Sequence, residues 1–232
     1  MLTTPDTRVL LSHDHPTLYP PSADSFLFLD ALESELDFIR KNVNPSVTIE
    51  FGCGSGIIST FLALHLGRLN YYFCTDISPQ SCLACNDVFS HNIGTPIRNC
   101  IQDSICCNLA DPLLTRLGGS VDLILFNPPY VSTPIDEFEQ ARHNYSTAWA
   151  GGPKGRKVID AFLPQAAALI SPSGCIYLLL SELENDPLDV HASFKDISSG
   201  RLSDVKLVTK RRALNEVLSV YRYCNAYTLK ST

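Results

Sequence analysis

Short apolar runs rich in β-branched and aromatic residues recur along the chain, and longer segments with apolar positions at helical spacing lie between most of them. The runs predict strands at 47–51, 71–75, 97–101, 121–126, 174–181, 205–209 and 218–227. The longer segments predict helices at 24–41, 57–66, 79–91, 155–170 and 187–198. Seven strands that mostly alternate with helices indicate an α/β fold, in which helices cover both faces of a mostly parallel sheet.

Both ends of the chain depart from this alternation. The last two predicted strands are joined only by residues 210–215, so we expect them to form a C-terminal antiparallel hairpin. Residues 1–20 contain prolines and show no periodicity, which predicts an irregular head. Because the chain has 232 residues and 45% hydrophobic content, residues 21–232 are expected to fold as a single domain.

Charge and hydropathy narrow the class of function. The net charge of -6, with only 18% charged residues, argues against a global basic field and therefore against direct binding to nucleic acid. No apolar run reaches the roughly 20 residues that span a bilayer, and the N-terminal residues lack the apolar core of a signal peptide. We expect no membrane contact and a cytoplasmic, or also nuclear, location.

The nine cysteines are spread over apolar segments and include a single C-x-x-C pair, Cys82 and Cys85. A structural zinc site needs about four Cys or His ligands in two paired groups. The pattern therefore predicts no metal site, and it predicts reduced, buried or half-buried thiols.

A glycine-rich turn, "EFGCGSG" (50–56), follows the first predicted strand and precedes a helix. Glycines at such a turn let the backbone approach a ligand closely. The spacing G-x-G-x-G differs from the dinucleotide fingerprint G-x-G-x-x-G. Glu50 beside the turn would also repel a pyrophosphate, so a different cofactor is indicated.

Three carboxylates lie at the ends of three consecutive predicted strands: Glu50, Asp76 and Asp103. Taken singly, each is as readily a solvated loop carboxylate or a helix cap. Together, at the carboxyl edge of a parallel sheet, they favour a ligand with positive charge and hydroxyl donors. S-adenosylmethionine has a sulfonium, an ammonium, ribose hydroxyls and an exocyclic amine, and it fits this acidic edge.

The fourth predicted strand ends in "NPPY", Asn127 to Tyr130. Proline has no N–H, and the residue before it is held extended, so the backbone here offers carbonyl acceptors with few competing donors. The side-chain oxygen of Asn127 and the carbonyl of Pro128 could accept both hydrogens of a planar NH2 group, and Tyr130 could form a wall beside it. Holding such a nitrogen in line with a methyl donor would favour transfer. The alternative interpretation is an ordinary proline-terminated strand.

These motifs, with "YPPSADSF" near the start, "TDIS" at 75–78 and "WAGGPKGRKVID" at 149–160, resemble the HemK/PrmC family of class I methyltransferases. The resemblance covers nearly the whole chain from Tyr19 and is strongest to the eukaryotic and archaeal branch. It implies a Rossmann-like fold and methylation of the glutamine in the Gly-Gly-Gln motif of the translation termination factor. It also implies a small zinc-binding activator protein, which we expect at the edge formed by the third strand, 97–101.

The resemblance also implies roles for individual residues. The cofactor would be held by Ser25, Glu50, Gly52, Gly54, Asp76, Asp103 and Asn127, with Asp76 at the ribose and Asp103 at the adenine. Substrate binding and catalysis would fall to Asn127, Pro128, Pro129 and Tyr130. The family commonly has Pro-Ala-Glu-Asp before its cofactor hydroxyl residue, whereas this chain has an acid only at Asp24.

The residues leave two other hypotheses open. One is a methyltransferase for a different nitrogen, either an adenine in DNA or RNA or a lysine. The other is a scaffold that keeps the fold without catalysis, although the intact NPPY motif and the three acids argue against it.

Overall fold

The computed structural model describes residues 2–11, 18–67, 69–94, 100–141, 148–213 and 216–225, without the side chains of Ala141 and Ala213. Within these ranges seven strands form one sheet. They are β1 (Val47–Phe51), β2 (Asn70–Asp76), β3 (Cys100–Cys106), β4 (Val121–Phe126), β5 (Ile170–Ser181), β6 (Asp204–Ala213) and β7 (Glu216–Cys224).

The strand order is β3-β2-β1-β4-β5-β7-β6. The first five strands in this order are parallel, and β7 runs antiparallel to both of its neighbours, β5 and β6. The last strand of the described chain is therefore inserted inside the sheet rather than added at its edge. The predicted α/β fold, with a C-terminal antiparallel hairpin, is confirmed.

Helices follow most of the strands. The described helices are α1 (Ala23–Phe38), α2 (Ile57–Leu66), α3 (Pro79–Ile93), α4 (Leu114–Leu117), α5 (Ile135–Ala141), α6 (Lys157–Leu169) and α7 (Pro187–Ile197). A π-helical turn, Ile39–Val43, continues α1, and short 3-10 turns occupy Arg8–Leu11, Asp111–Leu113 and Pro153–Gly155. The sequence did not predict α4 and α5, because they are short and α5 offers few apolar residues.

The sheet is buried on both faces. Leu123 and Leu125 of β4 join a cluster with α1, α2 and α3, whereas Ile124 and Phe126 join a second cluster with α6 and α7. Successive side chains of a strand point to opposite faces, so a strand covered on both sides reads as one continuous apolar run. Burial on both faces thus explains the unbroken apolar run "LILF" at 123–126.

Strand β3 lies further along the chain than predicted. It spans Cys100–Cys106, whereas the sequence predicted 97–101, of which residues 97–99 lie outside the described part. Asp103 is therefore inside the strand, level with Phe73 of β2, and not beyond the strand end. The polar residues after Ile101 are typical of a loop, but an edge strand tolerates them because its side chains are only partly covered.

The head packs on the helices of one face. The backbone N–H of Asp6 donates to Oδ1 of Asn92 at 2.7 Å, and Nδ2 of Asn92 donates to the carbonyl of Asp6 at 2.9 Å. A ring nitrogen of His65 lies 2.7 Å from the carbonyl oxygen of Thr3. The predicted irregular head, 1–20, thus includes a 3-10 turn and is held by specific hydrogen bonds to α2 and α3.

Two predictions are corrected: that the cysteines are reduced, and that residues 210–215 form the connection between the last two strands. Cys175 and Cys224 lie opposite each other on β5 and β7 and form a disulfide, with 4.6 Å between their Cα atoms. This separation is within the range of such bonds, so the prediction of reduced thiols is wrong for this pair. Residues 210–212, which the sequence placed in the connection between the last two strands, lie within β6, and Lys210 pairs with Glu182 at 2.9 Å.

Among the described residues, no helix combines the length and hydropathy that a membrane crossing requires. In the same part of the chain, His, Cys, Asp and Glu side chains form no group of three or more that could hold a metal ion.

Candidate active site

A cavity of about 380 Å³ opens at the carboxyl edge of the parallel strands. It lies where the sheet order reverses, because β2 and β3 extend on one side of β1 and β4 lies on the other. Open α/β sheets bind ligands at this position. The ends of β1, β2 and β4 form its floor, and residues 18–21 of the head and the start of α6 contribute to its walls.

The glycine turn shapes the floor of the cavity. Gly52 and Gly54 line it, with φ values of +58° and +50° that favour glycine. A Cβ on Gly54 would meet no atom within 4 Å, so the open cavity reaches the backbone at this residue. Gly56 is required for helix packing, since a Cβ there would lie 2.8 Å from the Cα of Cys85 in α3. The turn therefore combines backbone access for a ligand with close helix packing.

Glu50 lies under the turn with its side chain buried. The backbone N–H of Ser59 donates to Oε2 of Glu50 at 2.9 Å, and the Ser59 hydroxyl donates to the same oxygen. Burial raises the pKa of Glu50 well above the usual range of a glutamate. Because the other carboxylate oxygen, Oε1, takes part in neither bond, it is available to a ligand in the cavity that Glu50 lines.

Asp76 ends β2 and lines the same cavity. Its two oxygens accept backbone hydrogen bonds, from Gly54 at 3.0 Å and from Ser78 at 2.8 Å. Each carboxylate oxygen has a further lone pair, so ribose hydroxyls could still bind here. Burial raises the pKa of Asp76. The contact with Gly54 fixes the glycine turn against the end of β2.

Asp103 does not belong to this cavity. It lies within β3 as an exposed residue and is not among the lining residues. Asn108 and Leu109 line the cavity instead, after the true end of β3. The backbone N–H of Cys107 donates to the carbonyl of Asp76 at 2.9 Å, which holds this segment beside β2. If the sequence had placed the end of β3 at Cys106, Asn108 would have been the polar residue expected at the cavity.

Asn127 and the two prolines after it line the cavity at the end of β4. Nδ2 of Asn127 donates to Oδ2 of Asp24 at 2.9 Å. Oδ1 of Asn127 is buried and finds no hydrogen-bond partner among the described residues. Most buried acceptors in proteins are paired, so this oxygen is an acceptor that a ligand can use.

Ser25, one helical position after Asp24, also lines the cavity. Its Oγ accepts the backbone N–H of Ser22 at 3.3 Å, at the start of α1. The predicted cofactor hydroxyl is thus at the cavity, and it also helps to begin the helix.

Tyr130 is placed differently from the prediction. It packs against the hydrophobic core and is not among the lining residues. Its hydroxyl donates to Oε2 of Glu216 at 3.4 Å, and burial raises the pKa of the phenol, which keeps it a donor. The structure does not bring Tyr130 into the wall of the cavity beside Asn127.

The segment from Trp149 to Gly155 braces the loop that follows Asn127. The N–H of Val131 donates to the carbonyl of Trp149 at 3.1 Å, and the N–H of Gly151 donates to the carbonyl of Val131 at 2.8 Å. Gly155 has a φ of +62°, and a Cβ there would lie 1.8 Å from the carbonyl oxygen of Tyr130. Only glycine fits this contact.

Asn185, a residue that the sequence did not single out, ties this brace to β5. Its buried side chain donates from Nδ2 to the carbonyls of Tyr130 at 2.9 Å and Lys154 at 3.1 Å. Its Oδ1 accepts the N–H of Ser181 at 2.7 Å. No local sequence signal marks such a residue, because the carbonyls that its Nδ2 contacts lie 30 to 55 residues away in the chain.

No model of a protein family matches the sequence. A protein of Mus musculus named methyltransferase HEMK2 is 38% identical over 206 residues, which is 89% of either chain. The chain belongs to the HemK2/Mtq2 family of methyltransferases. Another HemK2/Mtq2 relative, the eRF1 methyltransferase catalytic subunit mtq2 of Schizosaccharomyces pombe, is 32% identical over 189 residues, or 77% of this chain and 79% of the relative.

A solved structure of an HemK2/Mtq2 member has the same fold. It is the E. cuniculi Mtq2-Trm112 complex, described as responsible for methylation of the eRF1 translation termination factor. Its matched chain is 23% identical, with a TM-score of 0.63 over 90% of this chain and 99% of that one. This chain and the matched chain thus share the class I methyltransferase fold.

Proposed function

We propose that this protein transfers a methyl group from S-adenosylmethionine to the side-chain amide nitrogen, N5, of the glutamine in the Gly-Gly-Gln motif of the translation termination factor. It would do so as the catalytic subunit of a heterodimer, through a single domain that spans residues 21–232. The observation that carries the proposal is the buried Oδ1 of Asn127 at the cavity, which has no hydrogen-bond partner in the part of the chain that the structure describes. Its chemistry fits an NH2 donor, and the relatives act as methyltransferases.

The lining of the cavity fits the proposed cofactor. Within the described part of the chain, the carboxylates of Glu50 and Asp76 accept hydrogen bonds from backbone N–H groups and a hydroxyl, none of which carries a charge. Such a lining suits a sulfonium, an ammonium and ribose hydroxyls, and it would repel phosphate. When bound, S-adenosylmethionine supplies an electrophilic methyl group. We propose that Ser25, Glu50, Gly52, Gly54, Asp76 and Asn127 hold it, and that Asn108 takes the adenine position in place of Asp103.

The residues of the NPPY motif would hold the acceptor nitrogen. An amide nitrogen is a poor nucleophile, because its lone pair is delocalised into the carbonyl. If Oδ1 of Asn127 and the carbonyl of Pro128 accept its two hydrogens, the nitrogen is oriented and its pyramidal, reactive form is favoured. Pro129 keeps a competing N–H away from these acceptors. We propose that Tyr130 supports this loop through Glu216, rather than forming a wall beside the substrate.

The proposed activator would cover the edge strand β3. Ile101 of β3 is level with Tyr71 of β2, and both side chains are exposed, as is Leu69, the residue just before β2. The unpaired side of an edge strand and exposed apolar side chains together form an association surface. A small partner that adds to this edge would bury both features.

The proposal is tested by methyl transfer from radiolabelled S-adenosylmethionine, with the activator co-expressed. Three substrates are compared: the termination factor, its Gly-Gly-Gln variant with Gln→Ala, and single- or double-stranded DNA. We expect label on the unaltered factor alone. Equal label on both forms of the factor would point to lysine or another amine, and label on DNA would point to adenine. Either result would contradict the proposal.

A further inference from the structure

The side-chain amide of Asn127 has a donor end, Nδ2, and an acceptor end, Oδ1, and the two ends differ in their hydrogen bonding. Nδ2 donates a hydrogen bond of 2.9 Å to Oδ2 of Asp24. Oδ1 is buried and unpaired among the described residues. Both residues line the cavity. Because a buried acceptor without a donor costs free energy, the oxygen is prepared for a donor that comes from a ligand.

Asp24 can hold only one of the two orientations of that amide. An ionised carboxylate accepts hydrogen bonds and donates none. If the amide of Asn127 rotated by half a turn, its oxygen would face the carboxylate oxygen, and the two acceptors would repel each other. The carboxylate therefore selects the orientation in which the NH2 group faces α1 and the oxygen faces away from it.

Asp24 is itself held in place. The hydroxyl of Ser22 donates to Oδ1 of Asp24, and the hydroxyl of Ser25 lies 3.5 Å from the same oxygen. Asp24 lies in the first turn of α1, where the unpaired N–H groups of the helix favour negative charge. One carboxylate oxygen is thus fixed by the helix start and the other is left for Asn127, so the orientation is set before a ligand arrives.

We propose that Asp24 is a positioning residue, which directs the acceptor oxygen of Asn127 toward the substrate nitrogen and so restricts the site to substrates that present an NH2 group. A substrate that presented a carbonyl oxygen at the same point would meet another acceptor and be rejected. The inference rests on the proposed function, because it assigns the source of the specificity of the same site.

Two variants separate hydrogen bonding from charge, and both are assayed as the heterodimer with the termination factor. In Asp24→Ala nothing selects the amide orientation, so kcat falls about 10- to 100-fold, as expected for one lost hydrogen bond to a charged group. Asp24→Asn keeps an acceptor but also offers a donor, so its kcat lies between those of Asp24→Ala and the unaltered protein. KM for the factor and the dissociation constant of S-adenosylmethionine stay within about threefold, because other contacts set both.

A matched control comes from the same helix. Asp37 is an exposed carboxylate in the last turn of α1 and pairs with Lys41 at 3.2 Å. Asp37→Ala leaves kcat unchanged. Thermal unfolding of all variants shows whether Asp24→Ala only weakens the start of the helix. If the stability of Asp24→Asn matches that of the unaltered protein while its kcat is lower, a purely structural role is excluded.

A double-mutant cycle gives the decisive readout. The kcat of methyl transfer to the termination factor is measured for Asp24→Ala, Asn127→Ala and the double variant. If Asp24 acts through Asn127, its replacement has no further effect once the acceptor is gone. Equal losses in both backgrounds would overturn the inference.

The outcomes distinguish this inference from the proposed function. If the unaltered protein labels the factor and Asp24→Ala retains full kcat, the positioning role is wrong and the function stands. If the unaltered protein does not label the factor, or if Asn127→Ala changes neither binding nor turnover, the proposed function fails and the inference fails with it.

Discussion

A Cβ placed on Gly155 would lie 1.8 Å from the carbonyl oxygen of Tyr130. No side chain can be accommodated at that distance, so the backbone of the NPPY loop and the segment from Trp149 to Gly155 would have to separate. The positive φ of Gly155, +62°, adds strain for any other residue. The geometry of the loop that carries Asn127 therefore depends on a glycine far from it in sequence.

We predict that Gly155→Ala lowers methyl transfer more than about tenfold, because it displaces the acceptors of the loop by a distance that matters for orientation. Gly67 is the matched control. It has a φ of +73° at the end of α2, and a Cβ there would meet no atom within 4 Å. Gly67→Ala should cost only the strain of the positive φ, about 1 kcal/mol, and leave activity intact. Urea unfolding and turnover of both variants check this, and equal losses of activity would refute it.

Asn127→Ala removes the acceptor oxygen while the glycine turn and the carboxylates of the cofactor site remain. We expect turnover to fall at least about 100-fold, the scale measured when one oriented polar group is removed from an active site. The dissociation constant of S-adenosylmethionine, measured by calorimetry, should change much less than turnover, because Asn127 is only one of several residues proposed to hold the cofactor. A variant that kept its turnover would show that Asn127 does not hold the substrate.

Replacement of Asn108 should weaken the binding of S-adenosylmethionine, whereas replacement of Asp103 should not. Asn108 lines the cavity, so Asn108→Ala should weaken the binding of S-adenosylmethionine about tenfold, as for one lost hydrogen bond of about 1.4 kcal/mol. Asp103 is exposed within β3, so Asp103→Ala should leave that affinity unchanged. Calorimetric titration of both variants decides between the two positions. Weaker binding by Asp103→Ala alone would restore the position expected from the sequence.

Glu50 is predicted to lower the stability of the unliganded protein as the pH rises and to strengthen the binding of S-adenosylmethionine. Its pKa is raised in the folded state because of burial, so between its unfolded and folded pKa values the native protein binds more protons than the unfolded chain. Stability contributed by the protonated form is present below the unfolded pKa and is lost as the pH rises toward the folded pKa.

Glu50→Gln removes this ionisation, and the amide oxygen can still accept both hydrogen bonds from Ser59. The unliganded variant should therefore be more stable than the unaltered protein at pH 7 and less sensitive to rising pH. It should also bind S-adenosylmethionine more weakly, because it offers no charge to the cofactor. Thermal midpoints from pH 4 to 8 and calorimetric affinities test this. A variant that is less stable at pH 7 would contradict the argument.

The two edges of the sheet allow a controlled test of the partner surface. Ile101→Lys on β3 places a charge where the activator is proposed to dock, so co-purification with the activator should be lost. Leu207→Lys is the control, since Leu207 is similarly exposed on β6 at the opposite edge. It should leave the complex intact. Loss of the complex in Leu207→Lys alone would show that the partner docks at β6, and the proposed docking at β3 would be wrong.

The sequence predicted the fold where one physical signal was dominant. Strands buried on both faces read as largely apolar runs, and the predicted boundaries of β1 and β4 are confirmed, whereas β5 begins at Ile170 rather than at Gly174. β3 was displaced because an edge strand has weak hydrophobic pattern, and this displacement moved Asp103 to the wrong place. Glu50, Gly54 and Asp76 were indicated by motifs and do meet at one cavity.

Contacts between distant parts of the chain could not be read from the sequence. The hydrogen bond of Asp24 to Asn127 joins the first helix to the fourth strand, and nothing local marks either residue for the other. Asn185 shows the same limit, since the carbonyls of Tyr130 and Lys154 that it contacts lie on distant segments. The orientation of Tyr130 was also inaccessible, because it depends on Glu216 of the last strand.

The position of β7 between β5 and β6 has a consequence for biosynthesis. When a ribosome has completed β6, the strand that joins it to the rest of the sheet has not yet been made. A product of premature termination at this stage would leave β5 with an unpaired edge, detach β6, and lack Glu216. Such a fragment has the exposed edges that chaperones and proteases recognise. Completion of β7 is therefore needed before the sheet is continuous and before Glu216 can accept the hydrogen bond of Tyr130.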